Sequence, residues 1–164
     1  MPANSRFAIA VHILTLMARA GDEPLKSDEV ACSVNTNPVV IRRILCALSK
    51  AGLVVSQTGA SGGSRLALKP SRITLLEVYR AVDAGDVFAL HPQPPNAKCP
   101  VGMNIEGALD RILNEVEQGV ERVLEKITIE KVLRSIESGA GRKDAKAPGA
   151  RSENRSVGKK EREL

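Results

Sequence analysis

Two adjacent arginines, Arg42 and Arg43, stand early in the segment NTNPVVIRRILCALSKAG, just after Val39 and Val40. A guanidinium can offer two N–H donors to O6 and N7 of guanine, and a valine can pack on a thymine methyl group. The other residue whose placement invites chemistry is Cys99, in KCPVG, ahead of a long helical pattern. A neighbouring lysine and a helix start both favour the thiolate over the thiol. No Ser/His/Asp grouping, carboxylate pair or phosphate-cradling loop is legible, so catalysis is not expected.

Base reading requires a stiff element that projects side chains, and the flanking residues supply one. Asn37 fits an N-cap and Pro38 a first helical position, giving the segment a sharp start. Ile41, Ile44, Leu45 and Leu48 form an apolar stripe, and Gly52 marks the stop. Docking on that stripe leaves Val39, Val40, Arg42 and Arg43 toward the outer side. Upstream, RFAIAVHILTLMARAG reads as a largely buried helix, capped at its start by Asn4 or Ser5 and ended by Gly21. A brief helix follows, with Ser27 as N-cap and Val30 and Ala31 inward. Downstream, LVVSQTGASGGSRLAL gives two β-prone runs around a glycine-rich turn, a hairpin whose tip would let backbone amides approach phosphates. Arg65, Lys69 and Arg72 lie just beyond it as candidate phosphate neutralisers.

The order helix, short helix, turn, helix, hairpin is that of a winged helix-turn-helix. TLLEVYRAV then opens with Thr74 and Glu77 at capping-box spacing. A Gly/Pro-rich loop leads to a long helix in which Ile105, Leu109, Ile112, Val116, Val120, Val123 and Ile127 recur at steps of three and four. Thr128 is placed to cap a final short helix, IEKVLRSI. The expected fold is therefore mainly α with a small β-hairpin: a DNA-binding domain at 1–84, a connecting loop at 85–101, a dimerisation helix and final short helix at 102–137, and a disordered basic tail at 138–164. The apolar surface of the long helix exceeds what so small a domain can absorb, which favours a homodimer.

Charge alone does not carry the nucleic-acid reading. The net charge of the 164 residues is +5, but the segment from Ser138 onward holds eight basic and four acidic residues. Residues 1–137 are left with a net charge of only +1, so local placement has to make the argument. On placement alone, Arg42 and Arg43 also fit a solvated face of a protein-interaction module. No run reaches the ~18 apolar residues of a spanning helix, and no signal peptide or disulfide framework is evident. A cytoplasmic protein without membrane association is expected.

Residues 5–83 resemble the Rrf-two family of bacterial winged helix-turn-helix transcription regulators. The resemblance rests on SRFAIAVHILTLMA, NPVVIRRILCALSKAGLVVSQTGASGG and ITLLEVYRAVD, and it continues through CPVG and ITIEKVL to about residue 136. It implies a homodimeric repressor or activator on a short pseudo-palindromic operator in double-stranded DNA, with the long helix forming much of the dimer interface. The candidate DNA-binding set is Ser27, Asn37, Pro38, Val39, Val40, Arg42, Arg43, Thr58, Ser61 and Arg65. Two departures weaken minor-groove reading by the wing: Thr58 stands where many members carry arginine, and Ser64 replaces the usual aromatic residue.

Cluster-binding members of that family hold an iron–sulfur centre with three closely spaced cysteines before the long helix. Here Cys99 stands alone, and sharing Cys99 and His91 across a dimer has no spacing motif behind it, so no cofactor or metal is expected. Cys99 is instead a candidate redox thiol or simply a residue packed at a helix start. Control by a small molecule or a partner protein is the alternative to thiol chemistry. Cys32 and Cys46 read as small core residues, His12 as a buried or interfacial histidine, and His91 as a loop residue.

Overall fold

The computed structural model describes residues 3–59, 62–82, 88 and 90–144. In chain order its elements are α1 (Ala3–Ala20), α2 (Ser27–Val34), α3 (Pro38–Lys50), the strands β1 (Val54–Gln57) and β2 (Gly63–Leu66), a 3-10 turn (Pro70–Arg72), α4 (Leu75–Ala81), α5 (Pro100–Glu125) and α6 (Ile129–Asp144). The protein is mainly helical with one antiparallel hairpin, as its residue pattern predicts.

Local signals account for where α3, α4 and α6 begin. The Asn37 side chain accepts the N–H of Val39 at 2.8 Å, and Pro38 follows as the first residue of α3. At α4 the Thr74 hydroxyl accepts the Glu77 N–H at 3.2 Å while the Glu77 carboxylate accepts the Thr74 N–H at 2.8 Å, the reciprocal exchange that capping-box spacing predicts. Thr128 accepts the Lys131 N–H at 3.3 Å at the start of α6.

Several starts and ends differ from expectation. Asn4 and Ser5 lie within α1, because that helix already includes Ala3. Ser27 is the first residue of α2 and Lys26 precedes it as the cap; the Glu29 carboxylate accepts the Lys26 N–H at 2.9 Å and so stabilises that start. α6 continues through SGAGRKD to Asp144, past the boundary drawn at 138, because glycine lowers helix propensity without forbidding a helix. Ile127 falls outside α5, in the link where Leu75 N–H donates to its carbonyl at 2.8 Å. The rest of the basic tail, 145–164, lies outside the described residues.

One aliphatic core joins these elements. Ile13, Leu14 and Met17 of α1 meet Ile41, Ile44, Leu45 and Leu48 of α3, together with Val54, Ile73, Val78 and Ile129, all buried. Phe7 packs edge-on against Tyr79, with ring centroids 5.8 Å apart, tying α1 to α4. Each fully buried aliphatic side chain contributes about 1.5–3 kcal/mol. α5 differs from the others: it contains no buried residue, and Ile112, Val116 and Val123 are exposed along it.

A third short segment pairs with the hairpin. Leu25, just ahead of α2, forms an antiparallel bridge with Ser64, each N–H donating to the other's carbonyl at 2.9 Å. A Cβ on Gly63 would lie 2.9 Å from the Leu25 carbonyl oxygen, and one on Gly62 would lie 2.5 Å from that of Gln57. The paired glycines therefore serve the close approach of the chain to itself, which anchors the wing beside α2 and α3.

Candidate nucleic-acid interface

α3 turns by about 100° per residue, so its buried stripe fixes the outer face opposite it. Val39, Arg42 and Arg43 are exposed there. Val40 is not: it is half-buried and packs against the core, because it falls on the flank of the stripe rather than across from it. Cys46 is exposed, which corrects its assignment as a core residue. It follows Arg43 by one helical turn, and residues three apart share a face. Cys32, at the end of α2, is also exposed.

A cleft of about 710 Å³ runs between the start of α2, the side of α3 and the hairpin. Ser27, Asp28, Arg42, Cys46, Lys50 and Thr58 all line it. Lys26 lines it as well, so three cations and one carboxylate set its charge. The fold thus gathers Ser27, Arg42 and Thr58 from three separate segments. Arg65 lies outside this lining, half-buried on β2 and paired with Val55. Asn37 is exposed, but its carboxamide oxygen is engaged by the helix cap, and Pro38 is half-buried beside it. Ser61 lies outside the described residues. Ser64 is buried, with its hydroxyl 2.8 Å from that of Ser56 across the hairpin.

Arg42 Nη2 donates to Asp28 Oδ1 at 3.5 Å, and both side chains remain largely in water. Such a pair is worth roughly 0–1 kcal/mol, weak enough for a nucleic acid to compete for the guanidinium. Sequence reasoning overlooked Asp28, Lys26, Cys46 and Lys50. For Cys46 and Lys50 the signal was present, since they recur with Arg43 at helical spacing. Asp28 and Lys26 line the cleft from the start of α2, which the Leu25 bridge sets beside the wing.

Comparison with known proteins agrees with this architecture. Residues 3–135 match the Rrf2 family, described as iron-dependent transcriptional regulators. The chain belongs to the Rrf2 family. YwnA of Bacillus subtilis (strain 168) is 44% identical over 134 residues, spanning 81% of this chain and 98% of its own. Among solved structures, CymR, the global cysteine regulator of B. subtilis, superposes with a TM-score of 0.57 at 21% identity, over 80% of this chain and 95% of its own. T. potens IscR superposes with a TM-score of 0.62 at 20% identity, over 89% and 91%. The Rrf2 family is one of transcriptional regulators rather than enzymes, and the winged helix-turn-helix is shared across these structures.

Among the described residues no group of three or more His, Cys, Asp and Glu side chains is arranged to hold a metal ion. Cys99 is exposed ahead of α5, while Cys32 and Cys46 belong to α2 and α3. His91 is exposed in the connecting loop. His12 is exposed on α1 rather than buried, its Nε2 3.2 Å from the Ser33 hydroxyl. Among the described residues no helix is long and apolar enough to cross a membrane.

Cys99 occupies the N-cap position of α5, with Pro100 as the first helical residue. The backbone N–H groups of Gly102 and, secondarily, Val101 at this helix start hold the thiol below its ordinary pKa. Asn96 folds over the same helix start: its side-chain oxygen accepts the Lys98 N–H at 2.9 Å, and its carbonyl accepts the Cys99 N–H at 3.0 Å. A Cβ on Gly102 would meet that carbonyl at 2.5 Å. Within CPVG only Gly102 is thus closely approached; Cys99, Pro100 and Val101 are exposed.

Proposed function

We propose that this Rrf2-family regulator is a cytoplasmic homodimer that recognises a pseudo-palindromic operator and represses by occupying promoter DNA. The carrying observation is the division of α3, whose inner stripe is buried while Val39, Arg42 and Arg43 stand exposed beside a cationic cleft. In this reading the first turns of α3 enter the major groove, which is ~12 Å wide, and Arg42 and Arg43 read guanines. Val39 packs on a thymine methyl. Thr58 and the wing follow the phosphates, and Val40 supports the helix from behind. The exposed stripe Ile112, Val116 and Val123 on α5 supports self-association, which sets two α3 helices on successive major-groove faces.

The same reading makes Cys99 a redox-responsive thiol and assigns the protein no iron–sulfur cofactor. Helix-start N–H groups favour the thiolate, which a peroxide can oxidise to sulfenic acid, with the peroxide O–O bond breaking and water or an alcohol leaving. A second reading, control by a small ligand or a protein partner, draws on a cavity of about 410 Å³ between α1 and α6, lined by Val11, His12, Leu16, Arg19, Leu133 and Ile136.

Selection of genomic fragments by the purified protein tests the operator reading. An enriched inverted repeat, lost with Arg42→Ala/Arg43→Ala, is expected; no enrichment at moderate salt, or unchanged enrichment with the variant, refutes it. Repeating the selection with peroxide separates the two modes of control. Cys99→Ser that loses DNA in peroxide as the parent does shifts the argument to the ligand or partner reading. Iron analysis and an absorption spectrum of anaerobically purified protein test the cofactor assignment, which stoichiometric iron with a visible charge-transfer band would overturn.

A further inference from the structure

α5 touches the DNA-binding part mainly along α4, where Leu124 packs on the core and two polar attachments add to that contact. The first is backbone. Leu75 N–H donates to the Ile127 carbonyl at 2.8 Å, Ile129 N–H donates to the Ile73 carbonyl at 3.0 Å, and Thr74 pairs with Thr128 in an antiparallel bridge. The second is a two-hydrogen-bond ion pair: Arg80 Nη2 and Nε donate to the two carboxylate oxygens of Glu121 at 2.9 and 3.3 Å. Glu121 supplies the larger causes of a raised Arg80 pKa, and the charge of Glu125 adds to them. Leu75 and Arg80 stand roughly 7–8 Å apart along α4 at a rise of 1.5 Å per residue, so the two attachments define a line rather than a pivot.

We propose that Arg80 and Glu121 are positioning residues that set the angle between α5 and the recognition helix α3, and thereby the half-site spacing the dimer prefers. This rests on the homodimer reading above. α5 is ~39 Å long at its 26 residues. A tilt of about 5° at the α4 contact displaces the far end by roughly 3 Å, close to the ~3.4 Å rise between base pairs. The backbone bridge at Ile127–Ile129 lies beyond the end of α5 and the Leu124 contact lies in its last turn, so neither fixes the tilt of the helix axis as an attachment further along it does. A paired carboxylate and guanidinium in fork geometry resists it, since both bonds lengthen together.

The test uses the full-length protein and synthetic duplexes carrying the half-site that the parent enriches, repeated at separations changed one base pair at a time. Glu121→Gln and Arg80→Glu are expected to reduce the preference for the optimal separation by about 3- to 10-fold, the scale of a surface pair counted twice in a dimer. Affinity for a single half-site and the dimer mass by light scattering should be unchanged. Arg80→Glu/Glu121→Arg should restore the preference, which a merely destabilising change would not. Parent-like spacing profiles in both single variants overturn the positioning role and leave the dimer reading standing, as does equal loss on single half-sites. A parent that is monomeric, or indifferent to separation, overturns both.

Discussion

Arg42→Ala separates base reading from phosphate contact, because the two predict different dependence on sequence and on salt. The Arg42 side chain is 60% exposed, and its bond to Asp28 spans 3.5 Å in solvent, so its removal should cost folding stability no more than about 1 kcal/mol. A bidentate contact to guanine is worth roughly 1–3 kcal/mol of discrimination, about 5- to 160-fold in each half-site. With two half-sites in a symmetric complex the loss reaches roughly 2–6 kcal/mol on the operator. Random duplex should bind almost as before. Fluorescence anisotropy on both duplexes across a salt series measures these quantities. The parent is expected to show a log–log slope of about −5 to −7, as for six to eight neutralised phosphates. If Arg42 reads a base, the slope of the variant on random duplex stays near that of the parent. Equal loss on operator and random duplex, with the slope flattened by about 2 per dimer, would refute base reading and assign Arg42 to a phosphate.

Further consequences follow from the core, a cap and the α5 junction. Ile41→Ala, at a fully buried position beneath α3, should lower unfolding free energy by about 2–5 kcal/mol in urea titrations, whereas Val39→Ala on the exposed face should change it by less than about 1 kcal/mol. Thr74→Ala removes the hydroxyl that caps α4 and should cost about 1–2 kcal/mol, with Thr74→Ser recovering most of it in the same titration. In a Cys32→Ser/Cys46→Ser background, Cys99 alkylation by iodoacetamide should reach half its maximal rate at a pH below that of a small free thiol, since the Gly102 and Val101 N–H groups stabilise the thiolate. A midpoint at or above the free-thiol value contradicts that geometry. Gly102→Ala forces Asn96 off the helix start, so hydrogen exchange should show faster loss of protection at the Cys99 amide.

Much of the helix-turn-helix part was legible because its signals are local. Asn37 with Pro38, Thr74 with Glu77, and the Ile41/Ile44/Leu45/Leu48 stripe each depend on residues within one or two helical turns, and each is realised. Cys46 was misplaced although its spacing from Arg43 already assigned it to the outer face. Val40 was misplaced because an apolar stripe has flanks, and which flank packs depends on what lies beside it. The glycine-rich turn was visible, but its glycines looked available for phosphates. In the fold Gly63 admits the backbone of Leu25, remote in sequence, and Gly62 that of Gln57 within the hairpin.

By itself the sequence determined the element order, the starts of α3, α4 and α6 and the inner face of α3, since periodicity and capping act over a few residues of chain. Tertiary structure decided which side chains share the cleft, how Leu25 completes the wing, and how Arg80 meets Glu121 from α4 to α5. Those contacts join residues remote in sequence. Their partners are selected by how the aliphatic core closes and where that closure carries each backbone segment, which no short window of residues records.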